Sequence, residues 1–323
     1  MRAIQSNTYG QPEEVLKMVD ITKPTPKEGE ILVKIHATTV NDYDWSHVRG
    51  KPYVYRLMFG LFKPKHHTAG MELSGTVEGL GAKVTKFKVG DPVFGDISEY
   101  GFGTFAEYIC ITENAVLNKP LALGFDEAAA LPHASTLAIQ GLEDLGQLKE
   151  GQKVLINGGG GGVGSLGVQL AKLKQCEVTG VDSMEKLDMM KSIGYDHVLD
   201  YKKVDFTKNT DKYDLILDCK TGKNALSYLP ILKSEGRYVT IGGSVLKLIG
   251  VLFWGKVFTL FSSKKLLILS LKPNQGLERM AELLEQNKIK CIIDGPYPLE
   301  ETARLIQYFG NGEHQGKIVI RTT

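Results

Sequence analysis

An α/β protein of two domains, one built on a doubly wound parallel sheet and the other mostly antiparallel β, is predicted by three features of this sequence. Six short β-branched runs alternate with helical patterns through the middle of the chain, as in a parallel sheet covered on both faces. Five consecutive glycines, Gly158 to Gly162, stand between the first of these runs and an amphipathic segment. The N-terminal third instead separates its β runs with Pro and Gly turns, the pattern of a separate antiparallel domain.

The elements follow in order. "EILVKIHATTV" and "MELSGTVEGLG" are the clearest N-terminal strands, with turns such as "KPTPKEGE" and "KVGD" around them. "KVLING", "EVTGVD", "HVLDY", "YDLILDC", "RYVTIGG" and "LLILSL" are six candidate strands, enough for a complete doubly wound sheet. Between the first two, Val163, Leu166, Leu170 and Leu173 recur at helical spacing, so the glycines join the end of a strand to the start of a helix. After Lys272, Leu277, Met280 and Leu284 form a helical stripe; "ETARLIQYF" and a final strand, "GKIVIRT", follow.

Composition narrows the function classes. The 323 residues suit two domains, and 42% hydrophobic with 24% charged content is ordinary for a globular protein. With 39 basic against 37 acidic residues, no broad field argues for nucleic acid or an acidic partner, which leaves a small molecule as the expected ligand. Cys110, Cys176, Cys219 and Cys291 are scattered without a CxxC, which fits reduced thiols in a cytoplasmic protein. The N-terminus lacks the apolar stretch of a signal peptide. "VLKLIGVLFWGKVFTLF", Val245 to Phe261, is 17 residues long and interrupted by Lys247 and Lys256. A membrane span is therefore not expected, and the segment reads as a buried wall, a roof over a substrate cleft or a subunit contact.

Gly159, Gly161 and Gly164 fit G-x-G-x-x-G. In a dinucleotide site the first glycine permits the tight turn, the second lets the diphosphate approach the backbone, and the third lets helix and strand pack closely. Gly162 and Val163 open the helix and offer its unpaired N–H groups to phosphate. The second strand ends in Asp182, 23 residues after Gly159, about where a ribose-binding acid belongs. Asp182 favours NAD, because its charge repels a 2′-phosphate. Ser183 and Lys186 argue for NADP, although Lys186 reads equally as a solvated helix residue.

Several motifs in the right order resemble the medium-chain dehydrogenase/reductase superfamily, in its zinc-independent quinone oxidoreductase branch of zeta-crystallin-like enzymes. They are "GMELSGTVEGLGAKVTKFKVGDPVFG", "GTFAEYICI", "AAALPHASTLAIQGL", the glycine turn and "GEHQGKIVI". The resemblance implies a GroES-like catalytic domain from residues 1–121 and 274–323, with a Rossmann coenzyme domain, 122–273, inserted. It also implies a nicotinamide in the cleft and a homodimer formed by pairing of the last sheet strand, near Leu266 to Leu271. Where zinc-dependent members have a cysteine this chain has Asn41, and where they have Gly-His-Glu it has Gly70, Met71 and Glu72. The structural-zinc cysteines are absent, so no zinc is expected. His66 and His67 are read as surface or loop residues rather than as metal ligands.

The resemblance places Asn41 in the site as a neutral donor near the carboxamide or substrate oxygen. It suggests Tyr53 as a second polar group, with a packed loop aromatic as the alternative, and Asp44 as a structural acceptor. Thr136 is expected near the nicotinamide, although relatives carry the threonine one place later, at Leu137 here. Gly242 and Gly243 leave room for the ring. Without a Lewis acid, hydride transfer to a quinone or an α,β-unsaturated carbonyl is the natural chemistry. The alternatives are alcohol or aldehyde oxidoreduction, and dinucleotide binding with little turnover.

Overall fold

The computed structural model describes residues 1–322, and the side chains of all of these but 258–260. Two compact units are present: Met1–His133 with Ile293–Thr323, and Ala134–Ile292.

The second unit holds a six-stranded, fully parallel sheet: β1 (Lys153–Asn157), β2 (Glu177–Asp182), β3 (His197–Asp200), β4 (Tyr213–Asp218), β5 (Leu232–Thr240) and β6 (Lys265–Ile268). Their spatial order is β3-β2-β1-β4-β5-β6, the doubly wound arrangement with its switch point between β1 and β4. All six expected strands are present; β5 begins five residues before the expected Arg237, at Leu232. β1 and β4 are buried almost throughout, which explains their continuous apolar sequence. Leu155, Val181, Ile216, Tyr228 and Tyr238 lie at the centre of this core.

In the first unit a seven-stranded, mostly antiparallel sheet runs Ile293–Pro298, Lys317–Arg321, Glu30–Thr39, Glu72–Leu80, Pro92–Asp96 and Leu117–Asn118. Tyr108–Thr112 pairs on the long central strand Glu30–Thr39. The C-terminal strand bonds Glu30–Thr39 antiparallel, and that pairing returns the last thirty residues to the N-terminal unit.

The unit boundaries differ from those expected. The helix Phe125–Ala130 stays with the first unit because the Phe125 carbonyl accepts from Ser74 Oγ (2.5 Å) and Asp126 pairs with Arg321 (2.6 Å). Residues 274–292 stay with the second. Gln140 Nε2 donates to the carbonyls of Lys272 (2.8 Å) and Gln275 (3.0 Å), and Gln169 Nε2 donates to that of Lys290 (2.9 Å). Val245–Phe261 forms one helix. Its Val251 is buried, and Trp254 packs against the core of the second unit. Leu246, Ile249, Leu252 and Phe253 are exposed, so a fully buried wall is not what forms. Among the described residues no helix is long and apolar enough to cross a membrane.

Candidate active site

The glycine turn lies at the C-terminal end of β1, and the helix Gly162–Leu173 starts from it with Gly161 at its N-cap. Gly158, Gly159 and Gly160 are buried, whereas Gly161, Gly162 and Val163 are partly open, so the helix start presents its unpaired N–H groups outward. A Cβ at Gly164 would lie 2.4 Å from the Gly158 carbonyl oxygen, so only glycine lets the helix sit this close to the turn. The tight turn itself falls one residue before the expected Gly159, at Gly158 with φ +88°. Gly159 is crowded: a Cβ there would lie 2.6 Å from Met190 Cε and 2.8 Å from the Tyr195 hydroxyl, so both side chains would have to shift to admit one. That hydroxyl donates to the Gly164 carbonyl (2.9 Å) and pins the turn.

Asp182 ends β2 with its carboxylate facing the turn. Oδ2 accepts from Gly160 N–H (2.9 Å) and Oδ1 from Ser183 N–H (2.9 Å). Each oxygen has a second lone pair, so acceptor capacity remains for ribose hydroxyls. Lys186 is not the solvated helix residue that the sequence allows. It is 1% exposed, its arm lies against Gly160, and its Nζ is 3.7 Å from Asp182 Oδ1. The residues that argue for opposite cofactors thus form one ion pair. This set suits a dinucleotide: a shaped backbone cradle, a helix start open to phosphate, and an acceptor positioned for a sugar.

Gly242 and Gly243 follow β5 in the left-handed region, at φ +155° and +126°. A Cβ would find open space at Gly242 but would sit 2.7 Å from the Lys220 carbonyl oxygen at Gly243. Thr136 is completely buried on the helix Pro132–Ile139.

In the first unit Asn41 occupies the N-cap of the helix Asp42–Arg49, but its side chain turns away to a buried charged group. Nδ2 donates to Glu72 Oε2 (2.7 Å), and Oδ1 accepts from Lys317 Nζ. Glu72 is fully buried and also receives Thr39 Oγ1 (2.5 Å), His133 N–H (2.6 Å) and the Lys317 ammonium (2.6 Å). The Asn41 amide is therefore held at both ends by the protein, with its second N–H directed at Thr39 Oγ1 (3.5 Å). This donor set does not suit zinc: an ammonium stands beside the carboxylate, and an amide stands where a thiolate would be needed. Among the described residues no group of three or more His, Cys, Asp or Glu could hold a metal ion.

Asp44 accepts from the N–H groups of Asn41 (2.8 Å) and Gly70 (2.9 Å). Burial pushes its carboxyl up to about 7, against the opposing pull of these two bonds and of Lys317. Nearby, Asp96 Oδ2 lies 2.7 Å from His133 Nδ1. Burial raises Asp96, but its His133 and Ser98 partners outweigh that and leave it below the ordinary carboxylate value. Tyr53 is two-thirds exposed, rests against Lys51 and Arg56, and is not among the hydrogen-bond partners of Asn41. His66 and His67 are exposed, and all four cysteines are free thiols. The residues that sequence reasoning missed are Lys317, Asp96 and His133. The available signal was a lysine opening the final strand ahead of its apolar run Ile318–Ile320.

Two family models match: an alcohol dehydrogenase GroES-like domain over residues 27–121 and a zinc-binding dehydrogenase domain over 193–320. The chain is 33% identical to a chloroplast envelope quinone oxidoreductase homolog of Arabidopsis thaliana, covering 99% of this chain and 98% of the relative. An NADPH-dependent alkenal/one oxidoreductase of the same plant is 28% identical, over 99% of this chain and 79% of the relative. Among solved structures, the quinone oxidoreductase from Coxiella burnetii superposes with a TM-score of 0.88 at 28% identity, covering 100% of this chain and 99% of that one.

Proposed function

The chain belongs to the quinone oxidoreductase-like branch of the medium-chain dehydrogenase/reductase superfamily and is an oxidoreductase, and on that premise we propose that it uses NAD(P)H, without zinc, to reduce quinones or α,β-unsaturated carbonyls. The observation that carries the reading is the glycine turn closed by the Asp182–Lys186 pair. When bound, the nicotinamide supplies hydride to an acceptor that is already electron-poor.

The protein's own part is to bind and orient. The first turn of the helix Gly162–Leu173 directs its N–H groups and dipole at the diphosphate. Asp182 accepts from the adenosine ribose, and Lys186 offsets its charge. With the carboxylate neutralised in this way, a 2′-phosphate meets little repulsion, so NADPH is accepted as well as NADH. Gly242 leaves open space, and Gly243 lets its backbone pack against Lys220 and Thr221. Asn41 is a positioning residue, clamped between Glu72 and Lys317. The outer edge of β6 bears no strand among the described residues, which supports a homodimer through that edge.

The test is oxidation of NADH and NADPH in parallel, with EDTA present, against 9,10-phenanthrenequinone and a simple enone. Turnover with either acceptor is expected, unchanged by EDTA or by added zinc. Tight cofactor binding without oxidation of any acceptor would instead support a binding protein with little turnover, and stimulation by zinc would overturn the metal-free reading.

A further inference from the structure

The loop after β4 carries a cation across the glycine turn. Asp218 ends β4 fully buried and accepts from the hydroxyls of Tyr228 (2.6 Å) and Tyr238 (2.7 Å) and from Asn157 Nδ2 (2.8 Å) at the end of β1. The same carboxylate accepts the N–H groups of Lys220 (3.1 Å) and Thr221 (2.9 Å). Thr221 is in the left-handed region, φ +41°, and its hydroxyl bonds both the Thr240 hydroxyl and the Gly242 carbonyl. A non-glycine residue in that region is strained, because its Cβ crowds the following carbonyl oxygen, and these bonds offset the strain. Together they fix the direction in which Lys220 leaves the backbone.

The arm of Lys220 lies along the turn. A Cβ at Gly158 would be 3.2 Å from Lys220 Cγ and 3.6 Å from its Cε. Lys220 is exposed, and its ammonium has no acidic partner within ion-pair distance among the described residues. Lys186, in contrast, is committed to Asp182. A preformed loop thus holds an unneutralised ammonium beside a backbone cradle shaped for phosphate.

We propose that Lys220 is a phosphate-binding residue of the coenzyme site whose ammonium serves the diphosphate bridge; this rests on the dinucleotide reading above. The sheet order decides which phosphate it serves. Asp182, the ribose acceptor, ends β2, whereas Lys220 follows β4, and these strands flank β1 on opposite sides. The diphosphate lies over β1 at the helix start, between the two, while a 2′-phosphate belongs to the β2 side.

The test measures Kd for NADH, NADPH and ADP-ribose with the wild type, Lys220→Ala, Lys220→Met and Lys220→Arg, each checked for an unchanged thermal midpoint. ADP-ribose keeps the diphosphate and lacks the nicotinamide. Lys220→Ala and Lys220→Met weaken all three ligands by a common factor of about tenfold, and Lys220→Arg retains most of the affinity. Lys220→Met keeps most of the arm, so it separates lost charge from lost packing. Affinities within about twofold of wild type would overturn the proposal. A loss confined to NADPH would also overturn it, by assigning the lysine to the 2′-phosphate. A folded wild type that binds none of the three ligands would instead sink the dinucleotide reading itself.

Discussion

Replacing Lys317 with methionine removes the cation that pairs with Glu72. The Glu72 carboxylate is fully buried and, among the described residues, has four donors: Thr39 Oγ1, Asn41 Nδ2, His133 N–H and Lys317 Nζ. Only the last carries charge, and its side chain is 8% exposed, so water screens the pair little. Removing one partner of a buried pair costs roughly 3–5 kcal/mol, because the other charge stays behind uncompensated. About 4 kcal/mol corresponds to about three orders of magnitude in the folding equilibrium. Trp45 and Trp254, the two tryptophans of the chain, fall in different units. Urea unfolding followed by Trp45 fluorescence in a Trp254→Phe background therefore reports on the first unit. Lys317→Met should lose about 4 kcal/mol there, and the double variant Glu72→Gln/Lys317→Met should recover at least half of that loss, because it removes both charges. A loss below about 1 kcal/mol, the worth of an exposed pair, would refute the assignment of Lys317 as the counter-charge of Glu72.

Three further outcomes follow from the geometry. Lys186→Ala leaves Asp182 uncompensated at the turn and should lower NADPH affinity about tenfold more than NADH affinity; an unchanged ratio of the two Kd values would mean that the pair does not govern cofactor choice. Asp44 is held up to about 7 by burial, so the folded state takes its proton more readily than the unfolded chain. Its contribution is fully present below about pH 4 and is lost as pH rises through about 7, a change of up to about 4 kcal/mol. The stability difference between wild type and Asp44→Asn should fall accordingly between pH 4.5 and 8 in urea titrations, and a difference flat across that range contradicts this. Phe253 is 60% exposed, whereas Trp254 packs on the core. Trp254→Ala should therefore destabilise the second unit by about 2–4 kcal/mol and Phe253→Ala by less than about 1 kcal/mol. Any rise in KM for hydrophobic over small quinones should then be read from Phe253→Ala alone, and equal effects on both quinones would point to a subunit contact.

The parallel sheet and the glycine turn were legible in the sequence because both are encoded locally. A buried strand is written as a nearly unbroken β-branched run, a helix as apolar residues at its own period, and the acid facing the turn as a carboxylate ending the second strand at a set distance from it. β1, β2, the helix Gly162–Leu173 and Asp182 all follow from such patterns. What only the tertiary structure decided depends on residues that the chain brings together from far apart. Lys317 reaches Asn41 across 276 residues of sequence, and neither residue's neighbours announce the other. Lys186 looks like any helix lysine until the fold buries it against Gly160 beside Asp182. The tight turn falls at Gly158, while Gly159 is crowded by Met190 and Tyr195 from the next helix and its loop, two demands that a run of identical glycines does not separate. Burial and pairing are set by packing between elements, so a period or a spacing could name the site but not the charges that would balance within it.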